Sequence, residues 1–244
     1  MDEKIRAAGI IPVRYASERF PGKPLALIAG KPMIQHVYER AVQASRLDSL
    51  IIATDDAKIY KAAKDFGADV RLTSACHRSG TDRAAEVAAK LDEAIIVNIQ
   101  GDEPLIHGDM IDSLVSALED SPSPMATLAA KEYDLSLFEA PSQVKVVFDE
   151  AGNALYFSRS PIPRGALDFF WKHIGIYAFR RSFLLRFTSL RPSRMEGLEN
   201  LEQLRALEHG YPIKVLETTH RPHSVDYPED IIKVESLLKK ESHD

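Results

Sequence analysis

The stretch Ile10-Ile11-Pro12-Val13-Arg14-Tyr15-Ala16-Ser17-Glu18-Arg19-Phe20-Pro21-Gly22-Lys23-Pro24-Leu25 decides how the chain is read. Residues 7–12 are apolar and closed by a breaker, the pattern of a buried strand. The loop that follows carries Arg14, Arg19 and Lys23, stiffened by Pro21 and Pro24 around Gly22. Apolar residues then resume at 25–28. In open α/β sheets ligands bind beyond the carboxyl ends of strands, so cations here suit an anion, a phosphate chain above all. The same charges also suit a solvated basic loop. The loop has neither the Walker A pattern nor the Gly-x-Gly-x-x-Gly dinucleotide fingerprint.

Working outward, strands and helices alternate. A turn at 29–32 leads into a helix that starts at Pro32 and carries Met33, Val37, Ala41 and Ala44 as its stripe. A strand over 50–54 is followed by Asp55-Asp56, which caps a helix over 57–66 that Gly67 ends. A short strand over 70–72, a helix over 82–91, a β-branched central strand over 94–99 and a helix over 109–118 complete the half. This order predicts a parallel sheet with crossover helices. Later, 144–148 and 154–158 flank a turn and read as a hairpin. Residues 161–169 read as a loop and 172–179 as a strand, with a helix capped by Ser182. A helix over 198–209, a strand over 213–217 and a last helix over 228–239 close the chain. The Ser121-Pro122-Ser123-Pro124 cluster marks a soft division between halves that share one sheet.

The bulk properties narrow the function. A chain of 244 residues suits one α/β domain with a smaller appendage. A formal net charge of -5 argues against nucleic-acid binding by bulk electrostatics. With one cysteine, Cys76, no internal disulfide and no cysteine-based zinc site is expected, which fits a reducing cytoplasm. Met1-Asp2-Glu3-Lys4 runs straight into a strand, without a signal-peptide pattern, and no apolar run is long enough to cross a bilayer.

Further constellations could carry chemistry. Gln100-Gly101-Asp102-Glu103-Pro104 follows the central strand; its acid could hold Mg²⁺, which takes few carboxylates plus substrate phosphates, or simply cap a turn. Val225-Asp226-Tyr227-Pro228 could supply a second carboxylate or start the last helix. His77-Arg78-Ser79-Gly80-Thr81-Asp82-Arg83 could read a base edge or bind an anion before a helix, or be an N-cap with a basic flank. On Lys172-His173-Ile174-Gly175-Ile176-Tyr177, alternation puts His173, Gly175 and Tyr177 on one face, as a ligand wall or a half-exposed strand would. Leu201-Glu202-Gln203-Leu204-Arg205 mixes core leucines with polar residues of an ordinary solvated face. His220 and His223 hint at zinc, but a proline intervenes and no third ligand is near in sequence. There is no Gly-x-Ser-x-Gly elbow and no Cys–His pairing, so a chemistry without a protein nucleophile is expected.

Taken together, the chain resembles the 3-deoxy-manno-octulosonate (Kdo) cytidylyltransferase family of Gram-negative lipopolysaccharide synthesis. The resemblance covers nearly the whole chain: residues 11–17 with 21–24, 29–34, Ser79-Gly80-Thr81-Asp82-Arg83, 100–104, His173-Ile174-Gly175-Ile176-Tyr177 and Leu201-Glu202-Gln203-Leu204-Arg205. The last two stretches together are the more specific part. Val13 stands where the family usually has alanine. Ser224-Val225-Asp226-Tyr227-Pro228 replaces the more usual Gly-Val-Asp-Thr-Pro, so a different backbone before Asp226 is expected.

The resemblance implies a Rossmann-like, GT-A-like nucleotidyltransferase fold. It has a mixed, mainly parallel sheet, helices on both faces and a smaller antiparallel hairpin subdomain. It implies a single domain over 1–244, with a nucleotide part over about 1–120, a sugar-acid and dimerisation part over about 121–225 and a C-terminal helix over 228–240. It implies CTP and Kdo as substrates, Mg²⁺ held by Asp102 and Asp226, and a homodimer. Arg14 and Lys23, assisted by Arg19, would hold the triphosphate; Arg78, Ser79, Gly80 and Gln100 would read cytosine. Arg159, Arg164, His173, Gly175, Tyr177, Glu202 and Gln203 would bind the sugar acid. Rival readings are a cytidylyltransferase for sialic acid or 8-amino-Kdo, and a non-catalytic nucleotide-binding module.

Overall fold

The computed structural model describes residues 5–16, 19–165 and 168–241; Ser17 and Glu18 of the opening stretch lie outside them. The strands are β1 (Ala7–Val13), β2 (Leu27–Ile28), β3 (Lys31–Pro32), β4 (Ser49–Thr54), β5 (Asp69–Leu72), β6 (Ile95–Asn98), β7 (Met125–Glu132), β8 (Lys145–Phe148), β9 (Ala154–Ser158), β10 (Phe170–Arg180) and β11 (Ile213–Glu217). The helices are α1 (Met33–Ala41), α2 (Ala57–Asp65), α3 (Gly80–Ala88), α4 (Gly108–Glu119), α5 (Arg181–Phe187), α6 (Arg194–Glu199), α7 (Leu204–Glu208) and α8 (Asp230–Glu241).

The main sheet runs β11-β7-β10-β6-β1-β4-β5, with the β8–β9 hairpin attached through β10; β2 and β3 form a separate small ribbon. β1 pairs in parallel with β4 and β6, β4 with β5, and β7 with β11. β10 alone along this path runs the other way, antiparallel to β6 and β7. The expected mixed, mainly parallel sheet is therefore present. Because β1 is central, every residue in it is buried. Pro12, which lacks an N–H, lies past the last β1–β6 pair, Ile10 with Asn98.

Helices cover both faces. One core joins Ile11 and Val97 to α1, α2 and α4 through Val37, Ile59 and Leu114. The other joins Ile10 and Ile96 to α3, α5 and α7 through Ala84, Phe187 and Leu204. A third, smaller cluster packs Val234 of α8 on Val225, Leu105, Ile28 and Met33.

Several expectations are corrected. The reading placed no element over 125–132, where β7 lies next to β10. α3 starts at Gly80 rather than 82, because Ser79 and Asp82 close a capping box that satisfies the first amides. Arg180, not Ser182, occupies the N-cap position of α5. The helix over 198–209 is two helices. Asn200 ends α6 in the left-handed conformation at φ 55°, and α7 starts only at Leu204.

The antiparallel course of β10 carries its first half past the carboxyl end of β6, since Tyr177 already pairs with Asn98. A bulge between Ile174 and Tyr177 re-registers it against β7. Alternation holds across it: Ile174 and Ile176 enter one core, while His173 faces Phe157 and Tyr177 on the other side. On that polar face Gly175 and Tyr177 are partly exposed. His173 is buried, with Nε2 3.0 Å from Thr127 Oγ1.

Two outcomes follow from this packing. Burial pushes the His173 pKa down to about 3, against about 6.5 in an unfolded chain. Below pH 6.5 the unfolded chain takes up a proton that the fold refuses, so stability falls as pH drops from about 6.5 toward 3, by on the order of 5 kcal/mol at most. Unfolding free energies of His173→Gln, measured against pH, should fall less steeply in that window; an unchanged slope would exclude His173 as the source. At Gly101 a Cβ would stand 2.2 Å from Val13 Cγ1 and 3.2 Å from the Pro12 carbonyl. Gly101→Ala should therefore cost about 1–3 kcal/mol in urea unfolding. Adding Val13→Ala should cost less than the two single losses summed, and strict additivity would show that this contact is not the constraint.

Candidate active site

The opening loop is closed on itself at Gly22, whose amide donates to the Tyr15 carbonyl at 3.0 Å. Gly22 adopts φ 73°, a left-handed conformation that favours glycine. A single helical turn over Lys23–Leu25 then directs Lys23 back under the sheet end. From the neighbouring strand, the 100–104 turn approaches β1 closely because Gly101 has no side chain. α3 brings its capped start against Pro12, which lies 3.2 Å from where a Gly80 Cβ would be. These three segments enclose a cleft of ≈ 260 Å³. It is lined by Arg14, Arg19, Lys23, Arg78, Ser79, Gly80, Gln100 and Asp102, among others. Every residue expected to hold the triphosphate or read the base is thus brought to one cleft.

Lys23 is its pivot. Its ammonium donates to Asp102 Oδ2 at 2.7 Å and to the Val225 carbonyl at 2.8 Å, and stands 3.9 Å from Asp226 Oδ1. The Lys23 side chain is only 12 % exposed. Arg19 donates to the same Asp226 oxygen at 2.8 Å and lies over the Tyr227 ring. A hydrogen bond with Tyr227 and the charge of Asp226 hold the Arg19 pKa above its ordinary value. The connector 218–229 is fixed by backbone: Val225 N donates to the Asp102 carbonyl at 2.9 Å. The Asp230 carboxylate accepts from the Asp226 and Tyr227 amides. Asp226 therefore precedes α8 rather than starting it.

Two carboxylates from distant segments converge on one cation. This all-oxygen pair fits a hard divalent cation, which needs few protein ligands beside substrate phosphates. The family departures have partners here. Ser224 donates its hydroxyl to Glu103, and Tyr227 supplies the ring beneath Arg19.

Sequence reasoning missed a second cavity of ≈ 330 Å³, which Asp226 lines with Glu103, Lys172, His173, Gly175, Ser224 and Tyr227. Burial and the charge of Asp102 push the Glu103 pKa up to about 7, and its Oε2 is buried without a partner among the described residues. Burial lowers the Lys172 pKa. The signal for Glu103 was its place in the 100–104 turn; Lys172 carried none, because its neighbours come from the connector.

The residues expected for a sugar acid divide. Glu202 accepts from Thr81 Oγ1 at 2.5 Å and so reaches the cleft through the first turn of α3. Burial raises its pKa. Gln203 is buried, with Nε2 unpartnered among the described residues, and Asn98 Oδ1 is likewise unpartnered beside Thr81. Tyr177 packs its ring on His173. Arg159 spends its guanidinium on the carbonyls of Glu199, Pro141 and Asn200. Arg164 is exposed in the stretch that follows β9.

A sequence model of the cytidylyltransferase family matches residues 8–218. The chain is 54% identical to a 3-deoxy-manno-octulosonate cytidylyltransferase of Syntrophobacter fumaroxidans, over 98% of this chain and 99% of the relative. It is 53% identical to the enzyme of that name from Solibacter usitatus, over 95% and 94%. Among solved structures, it matches a CMP:2-keto-3-deoxy-manno-octonic acid synthetase complexed with CTP, with a TM-score of 0.92, 43% identity and coverage of 97% and 99%. A cytidylyltransferase of Leptospira borgpetersenii, 18% identical at a TM-score of 0.64 over 97% of this chain and 87% of that one, shares the fold. With this cleft and these relatives along its whole length, the chain belongs to the 3-deoxy-manno-octulosonate cytidylyltransferase family.

Proposed function

We propose that this protein transfers CMP from CTP to the anomeric hydroxyl of 3-deoxy-D-manno-octulosonate, releasing pyrophosphate and supplying the activated sugar acid for lipopolysaccharide synthesis. The observation that carries the reading is Lys23 between Asp102 and Asp226 in a cleft that also holds Arg14 and Arg19. The sugar oxygen forms a bond to the α-phosphorus as the bond to the β-phosphate oxygen breaks. The hydroxyl proton goes to solvent and the electron pair leaves with pyrophosphate. No protein nucleophile is required, so the protein acts by positioning and by charge.

Arg14 and Lys23 grip the β- and γ-phosphates and stabilise the departing pyrophosphate, with Arg19 alongside. When CTP arrives, Lys23 exchanges carboxylates for phosphate. Asp102 and Asp226 would hold Mg²⁺, which when bound would neutralise phosphate charge and lower the pKa of a ligated hydroxyl. Arg78, Ser79, Gly80 and Gln100 face the base at the start of α3. Glu202, Gln203 and Tyr177 bind sugar hydroxyls beside Thr81, and Arg164 supplies a cation for the sugar carboxylate. Arg159 shapes that wall by holding Glu199 and Asn200, while His173 and Gly175 set the course of β10. The enzyme acts in the cytoplasm, where CTP is made and where a lone thiol such as Cys76 stays reduced. It works as a homodimer, a reading supported by the exposure of Leu155 on the β8–β9 hairpin.

With CTP, Kdo and Mg²⁺, pyrophosphate should be released; turnover of sialic acid or 8-amino-Kdo in preference to Kdo would replace the acceptor, and no release with any would leave a nucleotide-binding module. Asp102→Asn should lower kcat by about 10²-fold or more while the KM for CTP changes little, and near-normal turnover would remove Asp102 from the metal site. Lys23→Ala should impair kcat/KM for CTP by a similar factor, and unchanged kinetics would return the loop to solvent.

A further inference from the structure

His107, Asp109 and His220 line neither cavity of the active site. His107 precedes α4, Asp109 lies in its first turn, and His220 sits on the connector after β11. One donor atom from each lies within 4.8 Å of the other two. The imidazoles of His107 and His220 stack, with centroids 4.0 Å apart and planes at 22°. His220 Nε2–H donates to Asp109 Oδ2 at 2.7 Å.

We propose that these three side chains form a site for a borderline divalent transition metal, Zn²⁺ above others, that clips the 218–229 connector to the start of α4. Two imidazole nitrogens and one carboxylate oxygen are the three-ligand set that Zn²⁺ accepts, with water in the fourth position. A hydrogen bond between His220 and Asp109 needs no second imidazole. The stacked His107 ring adds a second nitrogen donor beside that pair. Ligands 2.0–2.1 Å from a tetrahedral ion stand about 3.3 Å from one another, so small side-chain rotations convert the present arrangement. Metal binding at His220 Nε2 shifts the ring proton to Nδ1, which keeps the imidazole neutral and frees the Asp109 oxygen for the ion. Glu241 lies 3.8 Å from His107 but is engaged by Arg40, so water completes the set. The His220–His223 pair that the sequence hinted at is not part of the group, since His223 faces Asp230.

The clip has a consequence for the active site. The connector carries Val225 and Asp226, tied to Asp102 at one end; a metal at His220 ties the other end.

Calorimetric titration of the untagged, chelator-treated full chain with Zn²⁺, in excess Mg²⁺, tests the site. One ion should bind per chain, and Co²⁺ should give the visible bands of a four-coordinate nitrogen–oxygen site. His107→Ala, Asp109→Ala and His220→Ala should each weaken binding at least about tenfold. Zn²⁺ should raise the Tm of the wild type by several degrees and leave that of His220→Ala unchanged. His223→Ala and Cys76→Ser should bind as the wild type does. Absence of a one-to-one isotherm, or one that persists in the His107→Ala/His220→Ala double variant, would overturn the proposal.

Discussion

The ammonium of Lys23, shared by the carboxylates of Asp102 and Asp226, is the interaction on which the arrangement depends. Each carboxylate comes from a different segment, and two like charges brought this close repel unless a cation lies between them. Lys23 is largely withdrawn from water, so its attraction is screened less than that of a surface pair. It also donates to the Val225 carbonyl, while the Val225 amide donates to the Asp102 carbonyl. The connector and the turn after β6 are therefore fastened at the cation itself. A cleft built this way has its charged groups gathered at one point by the fold itself.

The antiparallel β10 gives the site its second half. A strand parallel to β6 would end where β6 ends, but β10 starts beyond it and passes His173 and Gly175 along the cleft rim. Its bulge keeps Ile174 and Ile176 in one core and Tyr177 in the other. The break at Asn200 lets Glu202 turn toward Thr81 while Leu204 and Ala206 remain in the core. Ser224 and Tyr227, which depart from the family pattern, are absorbed through Glu103 and Arg19 without displacing Asp226 from Lys23.

Legibility in the sequence followed the range of each interaction. The strand–loop–helix order, the Asp56 cap, the β8–β9 hairpin and the basic loop were all readable, because each rests on neighbours a few residues away. The cleft around Arg14, Lys23, Ser79, Gln100 and Asp102 was readable as well, since parallel strands deliver their following loops to one edge. β7 was not: Met125-Ala126-Thr127-Leu128-Ala129-Ala130-Lys131-Glu132 lacks the alternation of a strand, being buried on both faces between β10 and β11. The single helix read over 198–209 failed at Asn200, a left-handed asparagine cap that the run of leucine spacing obscured.

By itself the sequence determined the α/β class and marked the basic loop and the two acidic turns as candidates, because periodicity and local turn chemistry are written in adjacent residues. Only the tertiary structure decided the partners. It placed Lys23 between two carboxylates, turned Arg159 onto main-chain carbonyls, buried His173, and set His220 against His107 and Asp109 instead of beside His223. Those pairings depend on strand register and on how the connector crosses the sheet edge. Both arise from burying apolar surface across the whole chain, which no local pattern records.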